Sequence, residues 1–158
     1  MINTGSWLIW GFAATVVLTI LMALSQSLHL TRMNIPYMLG TIVTPDRDRA
    51  QLYGIGMHAV NGWFIALIYI AAFHFWGGPA WWKGAVIGLV HSLFLLVTMP
   101  IFPSIHPRMA DEQYGPTVSR ELEPPGMFAL HYGSRTPVSI IIAHIVFGII
   151  LGTFYMYK

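Results

Sequence analysis

Four stretches of predominantly apolar residues dominate this 158-residue chain: Trp7–Leu30, Leu52–Trp76, Trp82–Phe102 and Val138–Tyr157. About 20 such residues cross the hydrocarbon core of a bilayer as a helix, so each stretch is long enough to span one. The first holds no Asp, Glu, Lys or Arg, and the third carries Lys83 only near its start, where the ammonium can reach the interface. Charged residues make up 9% of the chain, against about a quarter in a soluble domain. The spacing predicts an all-α protein: one membrane domain over 1–158, an antiparallel four-helix transmembrane bundle with a partly folded cap in the 103–137 connection. "ALSQS" near the end of the first stretch has the small residues of a cleavage site. No Lys or Arg precedes that stretch, so it lacks a secretory n-region and is expected to stay as a span.

The basic residues predict an orientation. Arg32, Arg47, Arg49, Arg108, Arg120 and Arg135 fall in the 31–51 and 103–137 connections, whereas Lys83 and Lys158 fall on the opposite side. The positive-inside rule makes the long loops cytoplasmic and both termini external, in a bacterial plasma membrane. "SWLIW", "FWGGPAWW" and "FYMY" all fall at the external boundary, where an aromatic belt would sit.

Several chemistries are excluded. Cysteine is absent, which removes disulfides, thiolate ligands and Cys nucleophiles together. The chain has no phosphate-binding glycine loop, no GxSxG elbow and no HExxH. Without a basic stripe interleaved with aromatics, no nucleic-acid partner is expected. The bilayer itself is the expected partner, with a larger membrane complex or a homo-oligomer as further possibilities.

Small residues four apart let helices approach closely in lipid. The second span places Gly54, His58, Gly62 and Ala66 on one face; the third carries Gly84, Gly88 and His91; the fourth carries His144, Gly148 and Gly152. Three ladders thus each hold one histidine. At about 1.5 Å rise per residue, His58 and His144 lie about 10 Å from the cytoplasmic ends of their spans and His91 about 13–15 Å. That puts the three at one level in the cytoplasmic half. His29 is shallower on the same side, and His74 belongs to the external boundary.

Ionisable residues inside a membrane are costly and face the bundle interior. On the plain reading, each imidazole is neutral and bonds a neighbouring helix backbone or a side chain such as Ser25, Gln26, Asn61 or Ser92. The sharper reading is a metal ion or haem-type tetrapyrrole held by His58, His91 and His144, since neutral imidazole suits both. Such a chain would serve as a redox or metal-dependent membrane subunit. His106, His131 and Glu121 are outer candidate ligands, and Asp111, Glu112 and Glu123 supply further carboxylates nearby. Two other functions fit the same composition: a cofactor-free accessory or assembly subunit of a larger complex, and an oligomeric carrier of small molecules or ions.

The long connection is expected to fold back as a cap through Met127, Phe128 and Leu130, with "PRMADEQYG" as a short helix. Pro103 and Pro107 bracket His106 and restrict its backbone. "TPDRDR" reads as a helix start capped by Thr44 or Asp46, its charges pairing locally. Together, "LTRMNIPYMLGT", "TPDRDRA", "HAVNGW", "HPRMA", "LEPPG" and "AHIVFGIILG" resemble a family of small bacterial four-span proteins with no assigned activity. That resemblance covers most of the chain. It implies the membrane architecture and assigns no catalytic role.

Overall fold

The computed structural model describes residues 2–110 and 115–157. The protein is all-α, with six helices: α1 (Thr4–Ser27), α2 (Ile35–Gly40), α3 (Arg47–Phe75), α4 (Trp81–Thr98), α5 (Phe102–Ile105) and α6 (Thr136–Phe154). Short 3₁₀ turns cover Met99–Ile101 and Met127–Tyr132. Four helical runs are long and apolar enough to cross a membrane: α1, α3, α6 and the run Trp81–Ile105, which joins α4 to α5.

Local chemistry sets the helix ends. Asn3 caps α1 by accepting the Ser6 amide at 3.1 Å. The helix closes with His29 in the left-handed region (φ 56°), the His29 and Leu30 amides returning to the Gln26 and Ser25 carbonyls. This is the bond pattern of a Schellman stop, with histidine where glycine is usual. Asp46 caps α3 through the Arg49 amide at 2.8 Å, so α3 starts five residues before the apolar stretch. Arg47, Asp48 and Arg49 therefore lie inside its first turn, and among the described residues they form no ion pairs. The prolines at 100 and 103 end the regular part of α4, and the chain continues as a 3₁₀ turn and α5.

Packing is closest between α4 and α6. A Cβ on Gly84 would overlap the Gly148 carbonyl, one on Gly148 would overlap that of Gly84, and one on Gly88 would overlap the His144 carbonyl. Gly152 meets Ala80 in the same way. α1 lies against α6 and α3. Its first residues meet the last of α6, where the Asn3 amide donates to the Tyr155 hydroxyl at 3.0 Å and Trp10 stacks on Phe154 at 4.5 Å. At its far end, Thr31 bonds Thr136 at 2.7 Å. The indoles of Trp7 and Trp63 donate to the Trp63 and Leu8 carbonyls, both at 2.9 Å.

The small-residue face of α3 meets two other helices: Gly54 lies on the Pro36 carbonyl of α2, and Gly62 lies on the Thr15 side chain of α1. α2 folds back along the start of α3, where Gly40 touches the Ala50 carbonyl. The cap uses different residues from those expected. Met127, Phe128 and Leu130 are exposed, whereas Met109, Pro125, Ala129 and Tyr132 are buried. Met109 bridges Leu122 instead of opening a helix, with the Ala110 amide on the Leu122 carbonyl at 2.9 Å. Asp111–Tyr114, the rest of that expected helix, lie outside the described residues.

Candidate functional site: a histidine-walled cavity

Between the helices lies a cavity of about 310 Å³, bounded by Thr15, Leu18 and Met22 of α1, Met38 of α2, Ile65 of α3, Leu95 of α4 and Phe147 of α6. Four imidazoles reach its wall: His58, His91, His106 and His144. The rest of the lining is predominantly apolar, as in small-molecule sites that place a few polar groups in a greasy pocket. The volume falls at the lower end of the roughly 300–1,000 Å³ typical of such pockets.

The four histidines differ in what their nitrogens already do. In His106, which is 4% exposed, Nε2 donates to the Met38 carbonyl at 2.9 Å and Nδ1 accepts the Arg108 amide at 3.2 Å. Both atoms are used. The Arg108 guanidinium beside it donates to the Thr41 and Ile42 carbonyls. These bonds satisfy carbonyls that α2 leaves open at its end, so His106 and Arg108 staple the proline turn onto α2.

His144 donates from Nδ1 to the Ile140 carbonyl one turn back, at 2.8 Å. A carbonyl only accepts, so this bond places the proton on Nδ1 and leaves Nε2 of the neutral ring as a bare lone pair. The Nδ1 of His91 lies 3.1 Å from the Tyr69 hydroxyl. The His91 and His144 rings meet edge to face with centroids 4.8 Å apart. Nε2 of His58 is buried and has no hydrogen-bond partner among the described residues. None of the three bonds Ser25, Gln26, Asn61 or Ser92; the Ser92 hydroxyl turns to the Leu89 carbonyl of its own helix.

Tyr69 is the residue that the sequence reading passed over. It is 1% exposed, packs edge-on to Phe147 at 5.2 Å, and holds His91 from behind. Its position, eleven residues after His58, is three helical turns along one face, so the periodicity carried the signal.

The other outer candidates lie elsewhere. His131 is exposed and does not line the cavity; its Nδ1 donates to the Pro124 carbonyl at 2.9 Å, and its own carbonyl accepts from Arg32. Glu121 is exposed and also stands off the cavity wall. Glu123 pairs with Arg32 at 2.9 Å. Asp111 and Glu112 lie outside the described residues. Among the described residues, no three His, Asp or Glu side chains converge as ligands of a single ion would. At the opposite end, His74 packs on Tyr157 at 4.7 Å with its Nε2 buried and unpartnered.

No family model, curated protein or solved structure matches this chain.

Proposed function

We propose that this protein is a small integral membrane subunit, an antiparallel four-helix transmembrane bundle, that holds a haem-type centre on its cavity histidines. The single observation that carries the reading is the Nε2 of His58. It is a buried imidazole nitrogen without a partner, on the wall of an apolar cavity that His91 and His144 also line. Leaving such an atom unbonded costs about 1–3 kcal/mol, a cost that coordination removes.

The bundle reading is supported by contacts running in opposite order along paired helices: Gly84 with Gly148, Gly88 with His144, Ala80 with Gly152. Outward side chains such as Ile9, Phe12 and Ile20 on α1 and Phe64 and Ile68 on α3 are exposed and apolar, which suits contact with lipid. The arginines of the two long connections favour a cytoplasmic placement for them, with both termini external.

A bare ion needs three or four protein donors, and none of the described residues group in that way. A tetrapyrrole brings its own equatorial donors and asks the protein for one or two imidazoles, which this cavity offers. His58, whose Nε2 has no partner among the described residues, would hold the group together with His91 or His144, whose rings lie edge to face with centroids 4.8 Å apart, and Tyr69 would orient His91. Bound iron would supply one-electron redox chemistry.

The test is a haemin titration of the full-length protein in mild detergent, followed by its visible spectrum beside a His58→Ala/His91→Ala/His144→Ala variant. The wild type should give a sharp low-spin Soret band at one haemin per chain. His58→Ala should give a broader, high-spin band, and the triple variant only the spectrum of haemin in micelles. Identical spectra for wild type and triple variant overturn the reading and return the chain to a cofactor-free subunit.

A further inference from the structure

At the ends of α1 and α6 nearest the cap, two further cavities meet. One of about 580 Å³ is lined by polar groups that include Gln26, His29, Arg32 and Arg135. The other, about 420 Å³, is an apolar groove along Leu21, Val138 and Ile142. Leu30 and Arg135 line both, so the polar pocket and the groove adjoin. We propose that the pair binds one anionic phospholipid. Its phosphate is held by Arg135 and Arg32 beside His29, and an acyl chain lies in the groove between α1 and α6. The proposal rests on the membrane placement argued above and concerns a site separate from the histidine cavity.

Charge chooses the headgroup. Arg32 is fixed at the pocket by its ion pair with Glu123 and its bond to the His131 carbonyl. The Arg135 side chain has no hydrogen bond or ion pair among the described residues. One carboxylate against two guanidiniums leaves a net positive pocket, and guanidinium matches phosphate oxygens two at a time. The groove chooses a lipid over a free anion, because phosphate alone would leave its apolar wall unfilled. Depth agrees as well. The pocket lies where α1 has just ended at Ser27 and α6 begins at Thr136, the level of phosphates if these helices span. Basic pockets between helices at that level suit anionic headgroups.

The probes are phosphatidylglycerol and phosphatidylcholine with matched chains, added to delipidated full-length protein in neutral detergent and counted by native mass spectrometry. Phosphatidylglycerol should bind at one per chain, about tenfold or more tighter than phosphatidylcholine. Arg135→Gln should remove about that factor, the scale of one charged hydrogen bond, while Arg135→Lys should restore part of it. Val138→Trp, which fills the groove and leaves the charges alone, should weaken both lipids. An unchanged thermal midpoint for Arg135→Gln without lipid shows that the fold persists. Equal binding of the two lipids, an unaffected Arg135→Gln, or glycerol phosphate displacing the lipid at its own affinity would each overturn the site. A chain that never enters membranes defeats the membrane placement instead, whereas one that enters and ignores headgroup charge defeats only this inference.

Discussion

Replacing His58 with leucine separates a histidine kept for a ligand from one kept for packing. Nε2 of His58 is buried with no hydrogen-bond partner, whereas Nδ1 of His144 has the Ile140 carbonyl and Nδ1 of His91 has the Tyr69 hydroxyl. An orphaned buried polar atom costs about 1–3 kcal/mol. Leucine, close in size, presents an apolar surface to a cavity already walled by Leu18, Ile65 and Leu95. His58→Leu is therefore expected to stabilise the ligand-free protein by about 1–2 kcal/mol. At 2–4 °C per kcal/mol for a chain of this size, the unfolding midpoint rises by about 2–8 °C. His144→Leu makes the contrast: it loses a bond worth about 0.6 kcal/mol in a membrane helix and relieves no orphan, so its midpoint stays level or falls slightly. The assay is thermal unfolding in mild detergent, followed by tryptophan fluorescence, on both variants freed of ligand. The stabilised variant should also bind haemin least well, so stability and binding move in opposite directions at one position. If His58→Leu lowers the midpoint, or moves it no further than His144→Leu, the imidazole has a partner and the reasoning fails.

Four further outcomes follow from the packing and the cap. Gly148→Ala puts a Cβ on the Gly84 carbonyl oxygen and 2.7 Å from its carbon, so α4 and α6 must part and stability falls by about 1–3 kcal/mol. Gly56→Ala meets nothing within 4 Å and should instead stabilise α3 by up to about 1 kcal/mol, a sign reversal that thermal unfolding reads directly. Tyr69→Phe keeps the ring against Phe147 and removes the bond to His91, costing about 0.6–1.7 kcal/mol; in haemin-loaded protein it should also shift the Soret band if His91 is a ligand. Burial, reinforced by Glu123 and opposed by Arg32, pushes the Tyr132 hydroxyl up to about 12, above about 10 in the unfolded chain. The protonated form is thus favoured by folding. Its stabilisation is complete below about pH 10 and is lost as pH rises through about 12. A midpoint measured across that window should fall in the wild type and fall less in Tyr132→Phe.

The long helices were legible because hydropathy belongs to a stretch and survives errors in its ends. α3 begins at Arg47, not Leu52, and that beginning was written in "TPDRDR", where Asp46 is the cap. α2 was not legible. Six residues are too few for a 3.6-residue period to stand out, and the helix depends on contacts between Gly40 and Ala50 and between Pro36 and Gly54, pairs that no local pattern announces. The same limit leaves the partner of the α3 face unnamed in the sequence. Small residues four apart say that something comes close, and any backbone can be that something. On α4 and α6 the partner was a second ladder; on α3 it was a short helix and a threonine.

The site divides along a similar line. His58, His91 and His144, matched in spacing and depth, all line one cavity. What separates these imidazoles is the count of partners on each ring, and the partners that distinguish His106 and His91 include residues distant in sequence. His106 is saturated by Met38, 68 residues away, and by the Arg108 amide. His91 depends on Tyr69, 22 residues away, and Nε2 of His58 has no partner among the described residues. A sequence lists the imidazoles as equals, while folding ranks them from fully bonded to unbonded. Because bonds within the protein offset the cost of burying a ring, the ranking is also an order of availability. His106 belongs to the scaffold. His91 and His144 each keep one nitrogen in place and one in reserve, and His58 is buried at a cost that a ligand would remove.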